Sequence, residues 1–267
     1  TSQSGSCRPF AVFGGAQCAN VPSNCSTCDH LFDQLFPVET WGTEYYVVPY
    51  QTTGTFTYRV MARDNGTLVS INGGIPISMT SGQVVEFNNV TTAAQIVGNN
   101  PIQVVQYMQG DNCSLNGDPA MLILNANDQK INNVTFSTVS SSVITNHFVN
   151  VIVETADIGN ILLDNVPIPA TSFSLFGSNP LNSYAQIPLT QGSHNLQANN
   201  GVTAYVYGMG SAESYSYSVG SFKSEPLFVV DTTICTLDSV LLSTPVTLFN
   251  AEWVALSDTT TILGTGN

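Results

Sequence analysis

The residues with the clearest chemical potential are the cysteines of the segment CSTCDH, residues 25–30. A Cys-x-x-Cys pair can be a redox dithiol, a haem attachment site, part of a zinc site or part of a disulfide cluster. Haem attachment requires a histidine directly after the second cysteine, and Asp29 stands there instead. A thioredoxin-like dithiol requires a βαβ setting, which the surrounding sequence lacks. Three cysteines of this region could bind zinc together with His30, but structural zinc sites usually pair two such motifs and this chain has one.

A disulfide cluster in an oxidising compartment is therefore the favoured interpretation. The chain contains six cysteines: Cys7, Cys18, Cys25, Cys28, Cys113 and Cys235. A bridge between Cys18 and Cys28 would close a short loop and contribute roughly 3 kcal/mol to stability.

The sequence offers no constellation for catalysis. Its three histidines, His30, His147 and His194, form neither an HExxH motif nor a pair at metal-binding spacing. A Gly-x-Ser-x-Gly motif, which would anchor a serine hydrolase, is also missing. We therefore predict that the chain is not an enzyme.

One loop carries oxygen ligands that could hold a cation. Asp111, Asn112, Asn116 and Asp118 could gather around Ca²⁺, although the sequence has no EF-hand pattern. A solvated acidic loop is the favoured interpretation, so Asp111 and Asp118 are weak calcium candidates. No other cofactor is predicted.

Aromatic side chains are the natural contacts for a protein or glycan ligand, because they offer a large area at low entropy cost. The segment 212–222 places Tyr215 and Tyr217 on one face of a strand, and Tyr50 lies near a strand end. These three tyrosines are the candidate ligand-binding residues, with ordinary packing as the competing interpretation. Trp41 is expected in the core.

Composition and charge exclude several classes of protein. The 267 residues carry a formal net charge of −13, with 18 acidic and five basic residues. Such a surface repels nucleic acid and anionic lipid, and no apolar run reaches the roughly 18 residues of a membrane span. The chain begins at Thr1 without Met or signal peptide, which suggests a mature or excised fragment. Together with the cysteines and the abundant Ser, Thr, Asn and Gly, these features indicate an extracellular, secreted or surface-attached protein.

Alternation of residues between two faces identifies the strands that must position these residues. In "TFTYRVMA", Phe56, Tyr58, Val60 and Ala62 fall on one face, and several other segments rich in β-branched and aromatic residues behave similarly. Only residues 28–35 could form a helical turn. We predict an all-β chain.

The strands recur with a period of about 90 to 100 residues, which suits a sandwich repeat. Residues 94–110 align with residues 194–210, and both segments contain an Asn-Asn pair. Residues 70–77 likewise align with residues 162–168. We predict tandem β-sandwiches, divided as follows: residues 1–29, the last strand of a preceding repeat and a disulfide loop; residues 30–115, the first sandwich; residues 116–225, the second; residues 226–267, a partial module or docked appendage.

Residues 9–49 also carry a family pattern. An apolar strand and a glycine precede two cysteines around a short loop, a helix-like turn ending in Gln-Leu, and Trp-Gly-Thr before an aromatic strand. These elements are Val12-Phe13, Gly14, Cys18, Cys28, His30, Gln34-Leu35, Trp41-Gly42-Thr43 and Tyr45-Tyr46. The pattern resembles the N-terminal domain of the IgGFc-binding protein family and its bacterial relatives, and weaker similarity continues to about residue 220. The resemblance implies that Cys18 pairs with Cys28, while Cys25 is an addition to the pattern that could pair with Cys7 or Cys113.

The final segment, residues 226–267, resembles the start of the Ig-like or PKD-like modules of bacterial surface proteins. Cys235 and Asp238 match the opening of such modules, and Trp253 occupies the place of a core tryptophan. The resemblance implies a long multidomain chain whose neighbouring domains are partners of this one.

The predicted function is an adhesion or binding module that recognises a glycan or protein on another cell or on the matrix. The alternative is a structural spacer that holds another module away from the cell surface. Nucleic-acid binding and membrane insertion are not expected.

Overall fold

A computed structural model of the chain describes residues 11–177, 179–222, 251–255 and 258–266. Most of these residues lie in antiparallel sheets, so the predicted all-β, sandwich-like fold class is confirmed. Short 3-10 helices within these ranges are Val38–Thr40, Thr155–Asn160 and Ala170–Ser172. None of the described helices has the length and hydropathy to cross a membrane.

The chain first forms a hairpin of β1 (Phe13–Asn20) and β2 (Cys28–Gln34). The sequence predicts a helical turn over residues 28–35, and this prediction is wrong. Pairing with β1 holds the segment extended, and Leu31 is its one buried residue. Tertiary pairing thus overrides a local helical preference.

The first large sheet has seven strands. They are β3 (Gly42–Val47), β4 (Phe56–Ala62), β5 (Thr67–Ile71), β6 (Ile77–Met79), β7 (Val84–Val90), β8 (Ala94–Met108) and β9 (Ala120–Ile123). The alternation predicted for β4 is present, because Phe56, Tyr58, Val60 and Ala62 are each at most 2% exposed. Strand β9 lies beyond the predicted repeat boundary at residue 115, yet it pairs with β8 in this sheet. The boundary therefore needs correction.

The second large sheet has eight strands. They are β10 (Ile131–Ser137), β11 (Ile144–Glu154), β12 (Ile161–Leu163), β13 (Val166–Pro167), β14 (Phe173–Phe176), β15 (Asn179–Leu189), β16 (Ser193–Gly210) and β17 (Glu213–Ser218).

The two large sheets share one strand order around a long central strand. In the first, the N-terminal half of β8 pairs with β3 and β5, and its C-terminal half pairs with β4 and β9. In the second sheet, the N-terminal half of β16 pairs with β10 and β12, and its C-terminal half pairs with β11 and β17. Strand β14 has no counterpart in the first sheet.

The two Asn-Asn pairs occupy the same place in this order. Asn99–Asn100 lie where the register between β8 and β3 shifts, between residues 97 and 102. Asn199–Asn200 lie where the register between β16 and β10 shifts, between residues 197 and 202. Both pairs therefore sit within a long strand at equivalent irregularities.

One hydrophobic core joins residues of both large sheets. The second sheet contributes Ile152, Phe176, Tyr205, Tyr207 and Met209 to it. The backbone N–H of Gln51 donates to the Tyr207 hydroxyl over 3.0 Å, and that of Asn125 donates to the Tyr205 hydroxyl over 2.9 Å. A second core cluster, which includes Val149, Val151 and Val206, belongs to the second sheet alone. One buried cluster therefore contains residues of both predicted sandwiches, and the division of the chain into two repeats stays a prediction.

Residues near the C-terminus form a separate hairpin of β18 (Ala251–Ala255) and β19 (Asp258–Gly266). Most of the region predicted as a partial Ig-like or PKD-like module, including Cys235, lies outside the described residues.

Candidate binding surface

Two disulfides fix the β1–β2 hairpin. Cys18 is bonded to Cys28 across the hairpin with their Cα atoms 5.2 Å apart, which is the pair that the family resemblance implies. Cys25 is bonded to Cys113 with their Cα atoms 5.8 Å apart, so the structure selects one of the two partners left open. Cys7, the other candidate, lies outside the described residues. All four described cysteines therefore form bridges, and none is a thiol.

The hairpin is also held by the backbone of β9. One oxygen of Asp33 accepts the Ile123 N–H over 2.9 Å, and the other accepts the Gln34 N–H over 2.7 Å. Burial raises the pKa of Asp33, although these two backbone hydrogen bonds oppose the shift. At the hairpin loop, the Gly110 N–H donates to the Val21 carbonyl over 3.1 Å.

Strand β17 also contacts β9. The hydroxyl of Ser214 donates to the Asp118 carbonyl over 2.6 Å, and that of Ser216 donates to the Met121 carbonyl over 3.3 Å. Together, β1, β2, β9, β17 and the loop 111–118 form one continuous surface, which we call the hairpin face.

An exposed aromatic pair is the most distinctive feature of the hairpin face. The rings of Phe13 and Phe32 stack with their centroids 5.3 Å apart. Phe13 is 53% exposed and Phe32 is 64% exposed, and the apolar side chains of Val12 and Leu35 are also exposed. Such a cluster of aromatic and aliphatic residues is typical of a contact surface.

Two clefts lie along β2. A cleft of about 320 Å³ is lined by Asp33, Phe36, Ile123 and Tyr217, among others. A smaller one of about 110 Å³ is lined by His30, Phe32, Met121 and Tyr215, among others. The structure thus brings Tyr215 and Tyr217, both predicted as ligand contacts, to the edges of the hairpin face.

Tyr215 and Tyr217 are half-buried, and their rings stack with centroids 6.1 Å apart. The Tyr215 hydroxyl is hydrogen-bonded to His147 Nδ1 over 2.9 Å, and the Tyr217 hydroxyl donates to the Ser137 carbonyl. Burial lowers the pKa of His147, so its ring stays neutral at physiological pH. The two tyrosines therefore present fixed ring edges rather than mobile hydroxyl groups.

The expectation for Tyr50 needs correction. Its side chain is 3% exposed and packs edge-on against Tyr207, with ring centroids 4.9 Å apart. The strand end that carries Tyr50 faces the shared core, so this residue stabilises the fold and offers no surface to a ligand.

Four carboxylates gather at one end of the hairpin face. Asp118 lies within electrostatic reach of Asp29, Asp111 and Glu213, and its pKa is raised to about 6. Burial is the main cause, and the three neighbouring negative charges add to it. We call these four residues the acidic cluster.

The acidic cluster contains both calcium candidates, Asp111 and Asp118. Within the part of the chain that the structure describes, no group of three or more His, Cys, Asp or Glu side chains is arranged to hold a metal ion. Calcium binding by this loop stays a prediction.

The raised pKa of Asp118 predicts a pH dependence of stability. A carboxyl whose pKa is higher in the folded state binds more protons there, so stability falls as pH rises from about 4 to about 6. We expect Asp118→Asn to be more stable than the unmodified chain at pH 7.5, and to gain less thermal stability on acidification to pH 5. Melting temperatures at both pH values check this. Asp64→Asn, which removes an equal charge outside the acidic cluster, should keep the original slope, and an unchanged slope in Asp118→Asn would contradict the assignment.

The sequence did not single out the exposed Phe pair. Phe13 appears only as part of the apolar strand of the family pattern, and Phe32 falls in a segment expected to be helical. The sequence does contain one signal for Phe32, which directly follows the apolar Leu31. Adjacent residues on a strand point to opposite faces, so one of the two must be exposed.

Comparison with known proteins extends these observations. The family model described as IgGFc binding protein matches residues 1–208. The human IgGFc-binding protein is 34% identical to this chain over 82 residues, which are 30% of this chain and 2% of that protein. This chain therefore corresponds to a very small part of that relative.

Among solved structures, an anti-sigma factor domain-containing protein from Clostridium clariflavum is 11% identical and covers 68% of this chain and 83% of its own. The TM-score is 0.20, so this likeness carries no argument. The family match, in contrast, includes both disulfides of the hairpin, the exposed Phe pair and most of the two large sheets. With residues 1–208 of its 267 matched, the chain belongs to the IgGFc binding protein family.

Proposed function

We propose that this chain is an extracellular protein-binding module and that it contacts its partner through the hairpin face. The observation that carries the proposal is the exposed stack of Phe13 on Phe32. Aromatic residues supply much of the energy in protein interfaces, because they bury a large area and lose little conformational entropy. Family membership and the disulfides support a protein partner and an oxidising environment.

The acidic cluster favours a partner that carries positive charge. Asp29, Asp111, Asp118 and Glu213 border the same hairpin that carries the Phe pair. Complementary charge accelerates encounter and selects among partners, so a basic protein surface is favoured. Because two disulfides hold the hairpin, little order has to be created on binding, and the entropic cost of association is reduced.

The proposal includes adhesion as the wider role. A module that binds weakly can adhere strongly when several copies act together, because tethering raises their effective concentration. We propose that the chain serves in this way within a long multidomain surface or secreted protein, of bacterial type, that meets a protein on another cell or in the matrix. A glycan ligand and a purely structural spacer are the competing functions.

The experiment compares Phe13→Ser/Phe32→Ser with Leu181→Ser. Leu181 lies on β15 and is 72% exposed, so its replacement removes an equally accessible apolar side chain outside the hairpin face. The probes are human IgG Fc, chosen because of the name of the human relative, a panel of purified extracellular proteins and a glycan array. We expect a protein of this panel to bind the unmodified chain, and the double Phe variant to weaken that binding about 30-fold or more.

The outcomes separate the candidate functions. Equal loss in both variants, or no loss in the Phe variant, would contradict the hairpin face as the contact. A signal on the glycan array alone would favour glycan recognition, and folded chain that binds no probe would favour the spacer. Circular dichroism and mapping of the Cys18–Cys28 bridge verify that the Phe variant is folded.

A further inference from the structure

The two clefts of the hairpin face form one groove between β2 and β17, and β9 contacts both of these strands. The lining of the smaller cleft comes from within residues 30–32, 119–121 and 214–216. The lining of the larger cleft comes from within residues 33–36, from Ile123 and from within residues 217–221. In each of the three segments, the larger cleft therefore begins almost where the smaller one ends. We call the combined feature the β2–β17 groove.

Aromatic and apolar side chains line both clefts. The smaller cleft has Phe32 on the β2 side and Tyr215 on the β17 side, and Met121 of β9 completes its apolar lining. In the larger cleft, Phe36 and Tyr217 take the corresponding places, and β9 again supplies an apolar side chain. The groove thus repeats one arrangement, in which an aromatic ring from each side flanks an aliphatic side chain of β9.

The aromatic residues of the groove are held in place by hydrogen bonds. The hydroxyl groups of Tyr215 and Tyr217 are both bonded to residues of the second large sheet. The Trp41 indole N–H donates to the carbonyl of Phe36 over 3.4 Å. Trp41 itself is half-buried rather than enclosed in the core, which corrects the sequence-based expectation. Walls that are fixed before binding reduce the entropic cost of association.

The hydrogen-bond acceptors along the groove are already engaged. The Ser214 hydroxyl donates to the Asp118 carbonyl, and the Ser216 hydroxyl donates to the Met121 carbonyl. Both oxygens of Asp33 accept backbone N–H groups. A ligand with many N–H donors, such as an added β-strand, would find these acceptors occupied. Proline has no backbone N–H, so a proline-rich segment does not need them.

The spacing of the two clefts fits a polyproline II helix. On the β2 side and on the β9 side, the two lining stretches are centred about three residues apart, which corresponds to about 10 Å along a strand. A polyproline II helix repeats every three residues, or about 9 Å, so its residues i and i+3 reach neighbouring clefts from one face. Side chains on one face of a β-strand recur about every 7 Å, which is shorter than the spacing of the clefts.

The acidic cluster lies at one end of the groove. Asp29, Asp118 and Glu213 directly precede the first lining residues of the smaller cleft in their three segments. Complementary charge therefore favours a basic residue next to the part of the ligand that occupies the smaller cleft.

We propose that the β2–β17 groove binds a proline-rich segment of a protein partner in the polyproline II conformation. Two prolines three residues apart occupy the two clefts, and an arginine or lysine of the segment lies at the acidic end. Aromatic-lined grooves suit such segments, because the polyproline II helix is already extended before binding and loses little entropy. The inference rests on the proposed function, since the groove belongs to the hairpin face, but peptides test it without the partner.

The test uses the peptide acetyl-Arg-Pro-Pro-Ala-Pro-Pro-amide and two counterparts. One has alanine in place of every proline, and the other has citrulline in place of arginine, which keeps the shape without the charge. The readout is the methyl NMR signals of Met121 and Ile123, assigned with Met121→Leu and Ile123→Val. We expect the proline peptide to shift both signals in a saturable way. The alanine peptide should bind about tenfold or more weakly, and the citrulline peptide about threefold more weakly.

Variants test the aromatic wall and the acidic end. Phe36→Leu should weaken binding of the proline peptide about fivefold or more. Phe173→Leu, which changes a half-buried phenylalanine that lines neither cleft, is the matched control and should leave binding unchanged. Glu213→Gln should reduce the preference for the arginine peptide over the citrulline peptide, whereas Asp157→Asn, in the helix Thr155–Asn160, should preserve it.

Several results would overturn the inference: equal binding of the proline and alanine peptides, equal loss in the Phe36 and Phe173 variants, or no shift of the Met121 and Ile123 signals in folded protein. If the proline peptide fails to bind while the Phe13→Ser/Phe32→Ser variant still loses its protein partner, the inference is wrong and the proposed function stands. If the peptide binds and depends on Phe36 while that double variant keeps its partner, the groove is retained and the Phe pair is rejected as the contact.

Discussion

Replacing Cys25 and Cys113 together with alanine is expected to lower the free energy of unfolding by about 4.6 kcal/mol. The two residues are 88 positions apart, and the entropy that a bridge removes from the unfolded chain grows with the length of the loop it closes. Chemical denaturation of the oxidised protein, with and without the substitution, measures the difference. Cys25 is 1% exposed, so a small packing loss adds to the entropic effect.

The matched control replaces Cys18 and Cys28 with alanine. This bridge closes a separation of 10 residues, for which the same relation gives about 2.7 kcal/mol. The remaining cysteines are unchanged in both variants. A larger loss from the short bridge than from the long one would contradict the loop-length argument.

Replacing Phe176 with alanine is expected to cost about 4 kcal/mol and to destabilise both large sheets together. Phe176 belongs to β14 of the second sheet, yet the centroid of its ring lies 4.5 Å from the centroid of the Tyr46 ring in the first sheet. It is 1% exposed in the shared core. Hydrogen exchange should therefore accelerate in β3 and β4 as well as in β15, because opening of one sheet exposes the core of the other.

A neighbouring residue on the same strand provides the control. Leu175 is 56% exposed, and Leu175→Ala should change stability by less than about 0.5 kcal/mol. If Phe176→Ala accelerates exchange in the second sheet alone, the two sheets open independently and the shared core does not couple them.

Local patterns accounted for much of the fold. Period-2 alternation identifies β4, because its inward residues Phe56, Tyr58, Val60 and Ala62 are all apolar and buried. The aligned segments 94–110 and 194–210 indeed coincide with the long strands β8 and β16, at the same register irregularity. The first signal lies within one strand and the second is a likeness between two short segments, so neither requires knowing which residues pack together.

Features that depend on distant packing could not be predicted in this way. Nothing near Tyr50 shows that its strand end turns into a core shared with Tyr207, a residue more than 150 positions away. The same holds for Asp29 and Glu213, which join Asp118 only because β2 and β17 both adjoin β9. Phe32 appeared helical because its pairing with β1 is not encoded in its own neighbours.

The candidate site was anticipated in parts rather than as a whole. The number and spacing of the cysteines indicated a disulfide cluster, and the family resemblance implied the Cys18–Cys28 pair. The partner of Cys25 could be identified only from the fold. Tyr215 and Tyr217 were placed on one face correctly, and the structure adds that this face borders the Phe pair.

The bridge between Cys25 and Cys113 has a mechanical consequence. When a chain is pulled from its two ends, force follows the shortest covalent route, and here it crosses directly from residue 25 to residue 113. The 88-residue separation would otherwise release roughly 300 Å of contour length on stretching. The strands from β3 to β8 are thereby withdrawn from the loaded path, and shear flow would extend this protein only through the residues that precede Cys25 and those that follow Cys113.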